Sequence, residues 1–292
     1  MEIGLFLGCN TPALRPDVER AIRLTMPDLG VDLVDLEGYV CCPAFGTFPS
    51  TDTDSHLATS GWNLSLAEAK GLDLMVECGS CYSSLQMGRE HILHNEQHKA
   101  RVNELLAPSG RSYHGKTQVR HITDILYNEV GVEKIAGSIK KPLAGMHAVV
   151  QYPCHTLFPH ELVGFAGPPA RPHILKDLVE ALGATVDHYS REYQCCGGAG
   201  GFHNHAPEEA LEWTRTRFDA IKNETQADFI VVSCITCLMH MDNSQKQLSQ
   251  GDTEYSIPVF DYNQILALAM GFDPKEVAPI CTVPREPVIS RV

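Results

Sequence analysis

Ten of the eleven cysteines fall into one pattern that occurs twice. The first copy is Cys9, the adjacent pair Cys41-Cys42, then Cys78-Gly79-Ser80-Cys81. The second is Cys154, then Cys195-Cys196, then Cys234-Ile235-Thr236-Cys237. As spacings these are C-x31-CC-x35-C-x2-C and C-x40-CC-x37-C-x2-C. Thiolates are metal ligands and redox nucleophiles, and two sets of five drawn from distant points indicate two metal centres.

The compartment decides how such cysteines are read. The opening MEIGLFLGCN has no basic stretch and only a short apolar run, so no signal peptide is expected. No apolar run approaches the length that spans a bilayer. The expected location is cytoplasmic, where thiols stay reduced and clustered cysteines are metal-binding or catalytic rather than paired. Adjacent cysteines also rarely bond each other, which makes a disulfide framework the weaker alternative. The net charge of −13 argues against nucleic acid or an anionic membrane as partner. An anionic substrate would need a local basic patch set against that field.

The repeat also organises the elements that must position the thiols. Ile3–Cys9 and Ala148–Cys154 each read as a short buried strand delivering a cysteine at its end. Helices are expected over Arg15–Leu29 and Arg171–Leu182, each running into a glycine suited to a C-cap. Second strands, Val31–Asp35 and Ala184–His188, lead to the paired cysteines. Helices over Leu57–Lys70 and Pro207–Glu224 follow, then third strands, Leu72–Glu77 and Ala227–Val232, ending in C-x-x-C. Strands alternating with helices predict an α/β fold with parallel sheets, whose sites lie at the carboxyl ends of the strands. All six cysteine groups fall there. The expected domains are 1–141 and 142–292, with a linker at Lys140–Gly145 and a proline-rich, irregular tail after Gly271 lying on the surface or against another subunit.

A structural zinc takes four ligands, usually from two close pairs. Five thiolates exceed what zinc or a four-ligand cubane needs, and a fifth that bridges two irons implies a cluster other than a simple cube. Zinc held by four cysteines in one half or in both, with the fifth spare, stays open as the alternative. Gly197-Gly198-Ala199-Gly200-Gly201 permits close backbone approach and positive φ, so N–H groups there can reach cluster sulfur.

The repeated motif resembles the CCG domain, seen as Cys195-Cys196-Gly197; the first copy departs from it, with Pro43 after Cys41-Cys42. A chain of two such domains and little else is similar to the B subunits of heterodisulfide reductases of methanogenic archaea. The resemblance implies two pseudo-two-fold related CCG domains, each a small parallel sheet with flanking helices. It implies two noncubane [4Fe-4S] clusters, one on Cys9, Cys41, Cys42, Cys78 and Cys81, the other on Cys154, Cys195, Cys196, Cys234 and Cys237. The implied reaction reduces CoM-S-S-CoB to its two thiols, the last step of methanogenesis. The implied partners are a ferredoxin-like and a flavin-containing subunit of the same complex, with a hydrogenase or formate dehydrogenase as electron source.

Disulfide reduction takes two electrons, and a cluster normally passes one. With ten cysteines committed to metal only Cys281 remains, too few for dithiol exchange. The near-duplicate halves therefore suggest a small-molecule disulfide set between two centres, each supplying one electron. His155, beside Cys154, is the candidate acid for the departing thiolates; otherwise it only packs or hydrogen-bonds. Arg89 and Arg191 are candidate anion-binding residues. His91, His94 and His98 lie at helical spacing and read as a solvated helix face. Rival readings are a CCG subunit of a thiol:fumarate or hydroxyacid oxidoreductase complex, and a zinc-stabilised electron-transfer or assembly module.

Overall fold

The computed structural model describes residues 1–165, 172–249 and 254–292. The first half runs β1 (Glu2–Phe6), α1 (Pro16–Asp28), β2 (Asp32–Asp35), α2 (Thr53–Glu68), β3 (Leu74–Val76), α3 (Gly79–Leu93) and β4 (Val119–His121). The second runs β5 (His147–Gln151), α4 (Ile174–Glu180), β6 (Thr185–Val186), α5 (Pro207–Glu224), β7 (Phe229–Val232), α6 (Ile235–Leu248), β8 (Val259–Asp261) and α7 (Tyr262–Ala269). Strands pair in parallel, in the orders β2-β1-β3-β4 and β6-β5-β7-β8. This is the expected α/β architecture. Arg171, where the helix leading to Gly183 was expected to begin, lies outside the described residues.

Local chemistry sets these elements. The Phe-Ile-Val-Val run of β7 is buried throughout, as a strand covered on both faces requires. Pro16 opens α1, where its missing N–H costs nothing, and Gly30 beyond the helix end takes φ +79. Asp52 caps α2 by accepting from the Ser55 N–H. Because β1 lies between β2 and β3, the connections leaving β1 and β3 diverge and open a crevice at the carboxyl edge. Phe6 pairs with Val76 and Gln151 with Val232, so Cys9 and Cys78 leave one sheet at the same edge, as Cys154 and Cys234 leave the other.

Three features depart from the sequence reading. Each sheet gains a fourth strand, β4 and β8, both only three residues long. Each C-x-x-C starts a helix: Cys78 and Cys234 are the N-cap residues of α3 and α6. The tail is not merely a surface segment. It forms the short helices Pro274–Val277 and Glu286–Ile289 and buries Val277, Val283, Arg285 and Val288. The Arg285 guanidinium donates to the carbonyls of Ala278 and Val259 and lies 4.5 Å from the Phe260 ring centroid.

The halves are packed together. Helix α1 lies against α7, where Gln264 Nε2 donates to Asp17 Oδ2 at 2.6 Å. Arg15 grips Asp17 with two bonds, at 3.0 and 2.8 Å, and also donates to the Ile280 carbonyl at 3.0 Å. One continuous apolar core runs through both sheets.

Candidate metal centre and thiol cavity

The carboxyl edges of the two sheets face each other, and the ten motif thiols meet between them. In the first half the Cys42 and Cys81 sulfurs are 3.0 Å apart. Cys41 hydrogen-bonds to both Cys42 and Cys9, and Cys81 to Cys78. In the second, Cys196 and Cys237 are 3.3 Å apart, Cys195 hydrogen-bonds to Cys154 and Cys196, and Cys234 to Cys237. The two strings join where Cys78 Sγ stands 3.5 Å from Cys234 Sγ. All eleven cysteines are free thiols.

Crowded thiols divide their protons unequally. Cys42 is pushed down to about 5, first by the hydrogen bond from Cys41 and then by that from Cys81. Cys195 is depressed first by the bond from Cys154, and Cys234 first by that from Cys237. Their donors Cys41, Cys154 and Cys237 are pushed upward in turn. Such a set of mutually perturbed thiols is a ligand set for cations.

The backbone reinforces it. Cys78 and Cys81, like Cys234 and Cys237, sit in the first turns of helices of 15 and 14 residues, whose positive ends favour thiolate. In the second half the N–H groups of Gly197 and Gly198 donate to the sulfurs of Cys195 and Cys196, each at 3.4 Å. Gly197 takes φ +91 there, and a Cβ on Gly198 would stand 2.7 Å from the His240 Cβ. Pro43, at the position matching Gly197, has no N–H to give.

A cavity of about 210 Å³ opens on the join. All five first-half motif cysteines line it, facing Gly198–Gly200, Ile235 and Thr236 of the second half. Among the described residues no three metal-ligating side chains close around one point as a single ion requires. Five thiols in each string are one more than a four-ligand ion takes.

The CCG cysteine-rich-domain model matches residues 3–86 and 148–242, the two segments that carry these strings. The chain belongs to the CCG family. It is 43% identical to a protein of Archaeoglobus profundus named as like the B subunits of heterodisulfide reductase, across 100% of this chain and 98% of the other. It is 36% identical to one of the B subunits of the ferredoxin/F(420)H(2)-dependent CoB-CoM heterodisulfide reductase, from Methanosarcina acetivorans, over 94% and 91% of the two chains. A membrane anchor subunit of the 8-methylmenaquinol:fumarate reductase of Wolinella succinogenes is 29% identical over 94% of each chain. Among solved structures, a hypothetical protein from Helicobacter pylori superposes with a TM-score of 0.74 at 16% identity, which shows a shared fold. The match covers 94% of this chain but spans only 50% of that one. CCG membership and the clustered cysteines together point to iron–sulfur binding. Among the described residues no helix is long and apolar enough to cross a membrane.

The other sequence candidates of this CCG protein fare differently. His155 sits between the halves, its ring centroid 3.4 Å from that of Phe45 and its Nδ1 2.9 Å from Ser83 Oγ. Burial lowers it to about 4, so it is neutral at pH 7 and not poised at an ordinary imidazole pKa. Arg89 does not line the cavity: it is buried, donating to the Thr117 carbonyl and to Glu90. Arg191 borders a different opening, of about 590 Å³, beside Cys154, Cys195, Phe158 and Trp213. Among the described residues no Arg or Lys lines the central cavity, whose polar side chains besides the thiols are Asn10, Thr11, Ser80 and Thr236. His91, His94 and His98 do not share one helix face, because α3 ends at Leu93 and the next helix begins at Glu96. Cys281 is exposed, in the tail.

Three buried charged residues escaped the sequence reading. Glu77 directly precedes Cys78, is fully buried, and accepts from Thr11 Oγ1 at 3.2 Å. Asp261 ends β8 close to Glu77; burial raises Asp261 to about 6, and burial followed by the charge of Asp261 raises Glu77 well above the usual carboxylate range. Arg217 of α5 lies wholly buried beneath the second vicinal pair and donates to the carbonyls of Gln194 and Cys195 at 2.8 and 2.7 Å. Glu77 beside the C-x-x-C was the one visible signal; the other two lie far from the motifs in sequence.

Proposed function

We propose that this CCG protein is the disulfide-cleaving subunit of a heterodisulfide reductase, acting on CoM-S-S-CoB in the cytoplasm. The contact that carries the reading is Cys78 to Cys234: the two five-thiol sets touch there, beside a cavity that the five first-half thiols line. In this reading Cys9, Cys41, Cys42, Cys78 and Cys81 hold one noncubane [4Fe-4S] cluster. Cys154, Cys195, Cys196, Cys234 and Cys237 hold the other, in domains 1–141 and 142–292. The clusters would supply one electron each. The reaction balances as one disulfide plus two electrons and two protons giving two thiols.

The chain's own residues provide the rest. Helix termini and the Gly197 and Gly198 N–H groups orient the thiolates. Phe45 and Ile235 form apolar parts of the cavity wall. His155, its Nδ1 2.9 Å from Ser83 Oγ, is the candidate group through which protons from solvent reach the departing thiolates. A ferredoxin-like and a flavin-containing subunit of the same complex, fed by a hydrogenase or formate dehydrogenase, would deliver the electrons.

The 29% identity to a subunit of a fumarate reductase supports a second reading: a CCG subunit of a thiol:fumarate or hydroxyacid oxidoreductase complex. Anaerobic turnover with a reduced viologen dye separates them. Production of both thiols from CoM-S-S-CoB supports the first reading; cluster reduction without disulfide consumption supports the second.

A further inference from the structure

We propose that Arg217 is the built-in counter-charge of the second thiol site, making the two sites electrostatically unequal and the second the easier to reduce. The inference rests on the two-cluster reading above. Arg217 is fully buried, and among the described residues its Nε and Nη1 meet no carboxylate or carbonyl, only the Tyr189 hydroxyl close by. Its two bonds go to the carbonyls that precede and carry the Cys195 thiol. A buried guanidinium is tolerated when an anion lies close. Its two bonds to the loop that carries Cys195 point to the thiolate assembly of Cys195 and its neighbours as the anion it answers.

Among the described residues no buried Arg or Lys donates to the loop of the first vicinal pair; the nearest counterpart is Arg111, partly exposed and 4.7 Å from the Trp62 ring centroid. Trp62 and Arg217 occupy matching positions, each twelve residues before the strand that follows, which starts at Leu74 or Phe229. Both reach back to the loop leading to the vicinal pair. Trp62 does so with a neutral indole N–H, donated to the Gly38 carbonyl at 2.8 Å. Among the described residues the two glycine N–H bonds to sulfur are found at the second site, and Pro43 stands in the first where Gly197 stands in the second. Fixed positive charge and N–H···S bonds both favour the reduced, more negative cluster. Cys9 and Cys41 are more exposed than Cys154 and Cys195, which acts the other way. A whole charge in a dry interior outweighs that difference.

The test is a redox titration of anaerobically purified protein followed by electron paramagnetic resonance, with Cys9→Ser marking the first-site signal. Wild type should show two midpoints, the second site's higher. Arg217→Gln should lower the second-site midpoint by about 59 mV or more, a tenfold fall in its reduced-to-oxidised ratio at fixed potential, and leave the first unmoved. An unmoved second-site midpoint at full iron content overturns the proposal, as does an equal shift of both sites. Should Arg217→Gln fail to load the second site, Arg217→Lys decides. Full loading with a smaller shift supports the counter-charge role. Loss of second-site iron there too shows a clamp on the two carbonyls and overturns it. Wild type without any cluster overturns the parent reading as well, a result distinct from an unmoved midpoint.

Discussion

The Sγ atoms of Cys78 and Cys234, 156 residues apart in sequence, lie 3.5 Å from each other. Each is the N-cap residue of the helix that its C-x-x-C begins, so two helix N-termini meet head to head at the join. Two positive helix ends repel unless negative charge lies between them. The thiol strings supply it.

Replacing either residue by serine should disable its own site and spare the other. Cys78→Ser and Cys234→Ser should each lower iron content by about half, because a cluster is held by its full set of thiolates. Disulfide reduction should fall to background in both. Iron analysis and viologen-coupled turnover check this; full turnover in either variant would contradict a mechanism that needs both sites.

Gly198→Ala should weaken the second site only. The added Cβ meets His240 Cβ at 2.7 Å and Cγ at 2.9 Å, forcing apart the loop whose N–H reaches Cys196. Loss of outer support of this kind costs about 10- to 100-fold in metal affinity. Iron retained after challenge with a chelator measures it.

The α1–α7 seam predicts a large stability effect. Asp17 is 3% exposed and holds Arg15 with two bonds while accepting from Gln264. Asp17→Ala leaves the Arg15 guanidinium buried without its carboxylate, which costs about 3–5 kcal/mol. Urea unfolding of the purified variant gives the value. A cost near zero would mean that the seam does not couple the halves.

The pH dependence follows from His121. This ring is fully buried, its Nε2 3.1 Å from the Ser233 carbonyl oxygen, and burial lowers it to about 4. An unfolded histidine takes up its proton near pH 6.5. Between about pH 6.5 and 4 the unfolded chain binds a proton that the folded chain refuses, so stability is lost as pH falls through that window. His121→Gln should flatten the decline in urea midpoint between pH 7 and pH 5 relative to wild type. An unchanged slope would assign the acid sensitivity elsewhere.

Much of this was legible in the chain itself. The strands that lead to Cys9, Cys78, Cys154 and Cys234 announce themselves as largely apolar runs with a cysteine two or three residues beyond, because parallel strands covered on both faces carry no polar alternation. Strands β4, Val-Arg-His, and β8, Val-Phe-Asp, are three residues long and polar at one or more positions, too brief for any periodicity to register. The helical start inside each C-x-x-C was hidden because cysteine is a poor marker of an N-cap. Arg217 looks in sequence like any other charge on an amphipathic helix. Only the packing of α5 under Cys195 turns it inward. The tail's proline content suggested surface irregularity, yet Arg285 and Val288 anchor it in the core.

Iron, sulfide and zinc content of anaerobically purified protein tests the central claim most directly. The account predicts about eight irons and about eight sulfides per chain, without zinc, two [4Fe-4S] clusters on ten thiolates. Zinc alone, or about four irons with one zinc, would contradict it by making one or both thiol strings structural.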